Sequence, residues 1–448
     1  MPQINKKDFA TSGYGADIFV VSQPGAKFTN QGNLTTSGDF ASPIKAMADG
    51  VTITNRGNLT TSGDGSYGIF AGDLLGSHYD HVTIVNYGAI TTSGDFLDDG
   101  INFAFGADGI EQNGNNGTVI NYGSITTIGP DSAGIGHIGA NSEITNYGQI
   151  NATGIGIVSD TIDGTETGNT ITNYGQIHTT GDGSHGIWLF SESNIVRNYG
   201  TIQADGFNGF GISMEAGGNH AENYGTILVT GEIARGVLLL GENVSFDNHG
   251  LVRATGDGSI GVRFSSENPA GSDGGVFTNY GTVEGAGRAV SGVDSNDHVA
   301  NYGILAGTVS LGAGDDSYLA GHGSSLTGEL ILGDGNDLVT LDRGFGSLTV
   351  ADFMTGAGSD DLFDVSAFGF HSLDDLLAHA LQDGTNVLLS LSGHDQLLLE
   401  GVSLGSLAAD DFVFGTGHGF ATGHGFDASI LHSGMEALAV HVDAAPAV

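Results

Sequence analysis

Two short segments, LGAGDDSYL (311–319) and LGDGNDLVT (332–340), place a pair of glycines and a carboxylate at matching positions. Both follow the nonapeptide pattern G-G-x-G-x-D-x-U-x except for leucine at its first position. Glycine lets a backbone carbonyl turn toward a cation, and the sixth-position aspartate supplies a charged oxygen. Hard oxygen donors, about six to eight of them, are what calcium takes. The candidate ligands are Gly312, Gly314 and Asp316, then Gly333, Gly335 and Asp337, with a partial third copy at Gly356, Gly358 and Asp360. One copy would read as an ordinary Gly/Asp turn. Two copies in close succession, with a third behind them, favour Ca2+.

The charge balance agrees. There are 11 basic and 51 acidic residues, a formal net charge of −40, and no Lys or Arg follows Arg343. Such a field repels nucleic acid and anionic membranes and attracts divalent cations. A carboxylate-rich segment without basic partners repels itself, so calcium should drive its folding. Cysteine is absent, which excludes a disulfide framework. The first twenty residues lack the apolar core of a secretory signal. No run approaches the ~18 apolar residues of a transmembrane helix.

Other residues could do chemistry. Asp182 with His185, Asp205, Asp257 and Arg263 are candidates for acid/base work on a polysaccharide. Yet Asp64, Asp182 and Asp257 occupy the same place in a recurring Gly-Asp-Gly-Ser corner, and a residue repeated at equivalent corners reads as structural. His418 and His424, in a doubled Gly-His-Gly-Phe, give only two ligands to a metal and read as linker. Outward Thr35, Thr60, Thr91 and Thr126 reflect β-propensity, and Trp188 needs no special role.

Beyond the nonapeptides, VADFMTGAGSDDLFDVS (350–366) looks like the segment that closes RTX calcium β-rolls. With GTNVLLSLSGHDQLLLEGVS (384–403) and LAADDFVF (407–414), it resembles the C-terminal region of proteins exported by type I secretion. The resemblance covers about 311–448 and departs from the pattern in its few nonapeptides and their first-position leucine. It implies calcium binding, an uncleaved C-terminal export signal read by type I secretion machinery, and a secreted or cell-surface location.

The elements that carry these residues are set by a repeat. Asn-Tyr-Gly begins at Asn86, Asn121, Asn146, Asn173, Asn198, Asn223, Asn279 and Asn301, with variants at Asn30, Asn55 and Asn248. The basic step, seen from Asn173 to Asn198, is 25 residues. Repeats of this kind stack to bury an apolar face that none can bury alone. In VTIVNYGAITT (82–92), alternation puts Ile84, Asn86, Gly88 and Ile90 on one face and Val85, Tyr87 and Ala89 on the other. Asn and Gly are expected to supply the dihedrals of a bend, stacked Asn amides to form a ladder, and tyrosines 87, 122, 147, 174, 199 and 224 to form an outward column. Ile69, Ile187 and Val262 return to the core. The extra residues at Leu74–His81 and Ile110–Gly117 should loop out, and Leu373–Leu381 should be an amphipathic helix. This repeat resembles the passenger regions of bacterial surface adhesins.

The expectation is an all-β protein whose main part is a right-handed parallel β-solenoid of about 25 residues per coil. A short RTX-like calcium β-roll and a small C-terminal β-rich domain should follow it. Residues 1–29 read as a cap or assembly segment, 30–310 as the solenoid, 311–366 as the calcium region, 367–414 as the β-rich domain and 415–448 as a secretion tail. The function expected is structural or adhesive rather than enzymatic, at the bacterial surface or extracellular matrix. The expected partners are other copies of the chain, joined head to tail, and extracellular polysaccharide or a cell surface. The alternatives are a carbohydrate-active β-helix enzyme and a non-catalytic polysaccharide-binding module.

Overall fold

The computed structural model describes residues 3–72, 78–95, 97–98, 104–160, 166–265, 273–356 and 361–415. The chain winds as a parallel β-solenoid of about 13 turns whose short strands stack into three faces. The first face has 16 strands, from Gln3–Asn5 to Phe412–Val413, and the second has 13, from Phe9–Thr11 to Ser325–Leu326. The third runs from Phe19–Val21 through parallel rungs to Gln396–Leu399 and ends in the antiparallel strands Asn386–Ser390 and Ala380–Asp383. At about 4.8 Å per rung, 13 turns make a rod of roughly 60 Å. Among the described residues no helix is long and apolar enough to cross a membrane.

Alternation sets the register. Ile84, Ile53 and Val119 stack on one another inside the first face, and Ile90, Leu59 and Ile125 inside the second. All six are buried. A one-residue slip would expose every one of them, so the pattern holds the strands in register. Ile69, Ile187 and Val262 close the core from the third face.

The asparagines form a continuous buried ladder. Asn173 Nδ2 donates to Asn198 Oδ1 at 2.8 Å and to the carbonyl of Gly175, and its own Oδ1 accepts from Asn146 Nδ2 at 2.9 Å. The ladder begins at Asn5, whose amide reaches Asn30. The glycine of the triplet plays a different part from the one expected. It is absent from the positive-φ residues, so the bend does not demand its dihedral freedom. A Cβ on Gly175 would instead lie 2.0 Å from the carbonyl oxygen of Gly148 in the coil before. Close stacking, not turn geometry, requires glycine.

Several sequence expectations need correction. Residues 3–29 are a regular coil, with Gln3–Asn5, Phe9–Thr11 and Phe19–Val21 each paired one rung up. The Asn5-Lys-Lys corner hides it because it lacks the triplet's glycine. Stacking also continues unbroken past residue 310, with Gly312 beside Gly333 and Ser317 beside Leu338. The Gly/Asp segments are therefore corners of the same solenoid, and no separate roll forms from them among the described residues. Ile110–Asn113 does not loop out. It is a third-face strand beside Ile69–Ala71, entered by the same Gly-Ile pair as that strand. The helix is only Leu373–Leu377, capped by Ser372, because Ala380–Asp383 turns at Gly384 (φ 64°) to pair with Asn386–Ser390. Gly358, Asp360, His418 and His424 lie outside the described residues.

Candidate cation site

The corner that begins each late first-face strand carries one aspartate per coil. Asp316 Oδ1 accepts from the backbone N–H of Asp297 at 2.7 Å, Asp337 Oδ1 from that of Asp316 at 2.9 Å, and Asp361 Oδ1 from that of Asp337 at 3.2 Å. The sequence separations are 19, 21 and 24 residues. All four side chains are buried. The Oδ2 atoms of Asp297, Asp316 and Asp337 are buried without a hydrogen-bond partner.

Burial in this corner raises the carboxyl of Asp297 to about 7 and those of Asp316 and Asp337 to about 8. Desolvation is the main cause, and neighbouring aspartates add to it for Asp316 and Asp337. Three stacked acids buried in this way would be held protonated near neutrality.

The glycines stack with the acids. Gly312, Gly314, Gly333, Gly335 and Gly356 all take positive φ, between 104° and 143°. A Cβ on Gly333 would lie 1.6 Å from Gly312 O, and one on Gly335 would lie 1.9 Å from Gly314 O. Only glycine fits, because backbone meets backbone here.

The sequence pattern found Asp316 and Asp337 but missed Asp297, whose corner has Val293 and Ser295 in place of the two glycines. In the third copy the register Leu338 to Leu362 puts Asp361 beside Asp337, one residue beyond the expected Asp360. Asp361 also accepts from Met354 N, which anchors the corner from a second side.

This donor set suits a hard cation. It offers carboxylate oxygens in adjacent coils, glycine-rich backbone beside them and no competing basic side chain among the groups that shift their pKa values. Among the described residues no three His, Asp or Glu side chains converge on one point. A cation held here would draw on Asp316 and Asp337 Oδ2 in neighbouring rungs.

Nearby carboxylates have a different task. Asp352 accepts from Leu332 N and Gly333 N, Asp395 from Gly344 N and Gly346 N, and Asp411 from Gly356 N and Ala408 N. They satisfy backbone donors at tight corners. Asp182 likewise accepts from Phe207 N in the next coil, as Asp64 does from Asp95 N. His185 is stacked between Trp188 and Phe210, and burial lowers it to about 4. Asp205 pairs with His178 at 2.7 Å. Of the expected acid/base candidates, Asp182, His185 and Asp205 thus hold contacts with neighbouring coils.

One acidic pair does break the repeat. Asp108 and Glu111 are buried in hydrogen-bond contact on the outer side of the third face, over Gly136, and burial raises both. That contact is closer than the carboxyl separations of about 5–9.5 Å used in glycoside hydrolysis. The sequence signal was there: every comparable Gly-Ile corner lacks an acid at both positions.

The tyrosine column is longer than six rings. Tyr87, Tyr122, Tyr147, Tyr174, Tyr199, Tyr224, His249, Tyr280 and Tyr302 stack in order, with centroids 4.7–5.3 Å apart and planes within 8°.

These features define the chain as a parallel β-solenoid with a buried amide ladder, an exposed aromatic column and a buried carboxylate column at one corner. No family model matches it, and no curated protein matches it.

Proposed function

We propose that this chain is an exported, calcium-stabilised β-solenoid that serves as a structural or adhesive component of the bacterial exterior, sent out by type I secretion and not acting as an enzyme. The observation that carries this reading is the set of orphaned buried Oδ2 atoms at Asp297, Asp316 and Asp337. An unpaired buried carboxylate is costly. Without a cation these groups must hold protons or drive the late coils apart. With calcium present they can ionise and stay buried, so binding free energy becomes folding free energy. Scarce calcium inside the cell would keep the late coils loose for export, and abundant calcium outside would fix them. The RTX-like character of 311–414 supports the same sequence of events.

The rest of the chain fits presentation rather than turnover. Its corner acids bind backbone, and its outer faces repeat for many coils. Melting followed by circular dichroism, with calcium and with chelator, tests the proposal. Calcium at a hundred times its Kd should stabilise by about 2.7 kcal/mol. The double variant Asp316→Ala/Asp337→Ala should lose that gain while keeping the β-signal of the earlier coils. Equal melting of the wild type with calcium and with chelator would refute the proposal.

A further inference from the structure

The aromatic column is not a platform for stacking. Between Tyr122, Tyr147 and Tyr174 the ring planes lie within 6° of parallel at 4.9 Å, so each ring's faces are covered by its neighbours. The ends are covered too. The Arg56 guanidinium sits 4.2 Å over Tyr87, and the backbone at Gly321 lies so close to Tyr302 that a Cβ there would be 2.3 Å from its ring. A ligand that needs an open aromatic face, whether a flat ring or a sugar's apolar side, finds none. Each tyrosine instead presents an edge and a hydroxyl, and Tyr122, Tyr147 and Tyr174 are 46–48% exposed.

Beside these three rings runs an open groove of about 600 Å³. Its far wall is one hydrogen-bonding side chain per coil, Ser124, Gln149, Gln176 and Thr201, stacked in register. Its floor is the glycine of each triplet. Among the described residues no charged side chain lines the groove, although the chain carries a net charge of −40. On the other side of the tyrosines, Ile120, Thr145 and Thr172 continue the uncharged surface until Arg197 ends it.

We infer that this groove binds a neutral, extended polysaccharide lying parallel to the solenoid axis. The repeat of the groove is the rung spacing, about the length of one sugar unit in an extended β-linked chain. Each coil therefore offers one unit a tyrosine hydroxyl on one side and an amide or hydroxyl on the other. Each contact alone is weak, and successive coils acting on one chain add them with high effective concentration. Polyanions are disfavoured, because the chain's net charge of −40 repels them while the groove offers no cation to hold them. The inference takes its exterior setting from the proposed function but does not depend on calcium, since the groove spans 122–201 and the carboxylate column 297–361.

Affinity electrophoresis of the whole protein through gels containing soluble β-glucan, galactomannan or polygalacturonate tests it. Retardation is expected with at least one neutral polymer and not with polygalacturonate. Tyr147→Phe/Tyr174→Phe keeps the stack and removes two hydroxyls, and Gln149→Ala/Gln176→Ala removes two exposed amides. Each pair should weaken retardation about tenfold with unchanged melting. Chelator should leave retardation in place even where it lowers the melting temperature, which separates this test from that of calcium stabilisation. The inference is overturned by no retardation with either neutral polymer, by equal retardation of wild type and both variants, by stronger retardation with the polyanion, or by loss of binding on chelation.

Discussion

Asp316 and Asp337 each give one oxygen to a backbone N–H in the coil before and leave the other buried and unpaired. An amide at either position would keep the first contact and remove the charge that the second must carry. Asp337→Asn should therefore stabilise the calcium-free protein at pH 8 and abolish part of the calcium-dependent rise in melting temperature, as thermal scans with and without chelator would show. The asparagine ladder answers to the opposite logic, because each amide is already fully engaged. Asn173→Ala leaves Asn198 Oδ1 buried without its donor and takes from Asn146 Nδ2 its shortest acceptor. The expected loss is about 1–3 kcal/mol for each buried group left unpaired, measurable by urea denaturation.

At the scale of elements, stacking distance rather than strand propensity is the tightest constraint. The Gly175 position has no room for a methyl group, since Gly148 O occupies it. Gly175→Ala should force the coils containing Tyr147 and Tyr174 apart and break the ring stack between them. Raised amide exchange over 170–179 would register the break, and unchanged exchange there would show that the coil can absorb the methyl. Strands of three to five residues are individually weak, and they persist because each is paired above and below. The hairpin Ala380–Ser390 and the short pair Leu97–Asp98 with Ala104–Phe105 depart from this. The hairpin turns antiparallel and adds its two strands to the edge of the third face.

For the whole molecule, the carboxylate column makes stability depend on pH. Asp297, Asp316 and Asp337 are raised to about 7, 8 and 8 from an ordinary value near 3.8. The folded state thus binds more protons than the unfolded state between roughly pH 4 and 8. Their contribution is fully present below the lower limit and is lost as pH rises through the upper one. Buried Asp108 and Glu111, also raised, act in the same direction. Without calcium the melting temperature should fall as pH rises across this window. Saturating calcium should flatten the fall by replacing the protons. A calcium-free curve that is flat or rises with pH would contradict the assignment. Because a solenoid's stability is a sum of local coil terms, calcium removal should raise hydrogen exchange over 296–364 and spare 118–229.

The coil was legible in the sequence because its period is carried by residues with one task each. Isoleucine in the triplet's strand must be buried, asparagine must find amides to bond, and tyrosine must alternate outward, so their spacing alone gave the faces, the ladder and the column. The nonapeptides likewise marked Asp316 and Asp337. What lay beyond the sequence depended on neighbours distant along the chain. Asn5 joins the ladder though its corner has lost the glycine, and Asp297 joins the carboxylates though its corner has lost both. Asp361 joins them because the register of Leu362 on Leu338 sets it beside Asp337. The same holds for the glycine of the triplet, whose necessity comes from a carbonyl one full coil earlier, and for the tyrosine rings, whose faces are closed by stacking. Local pattern fixes what a coil is. Only the coil above and the coil below decide what each of its side chains can touch.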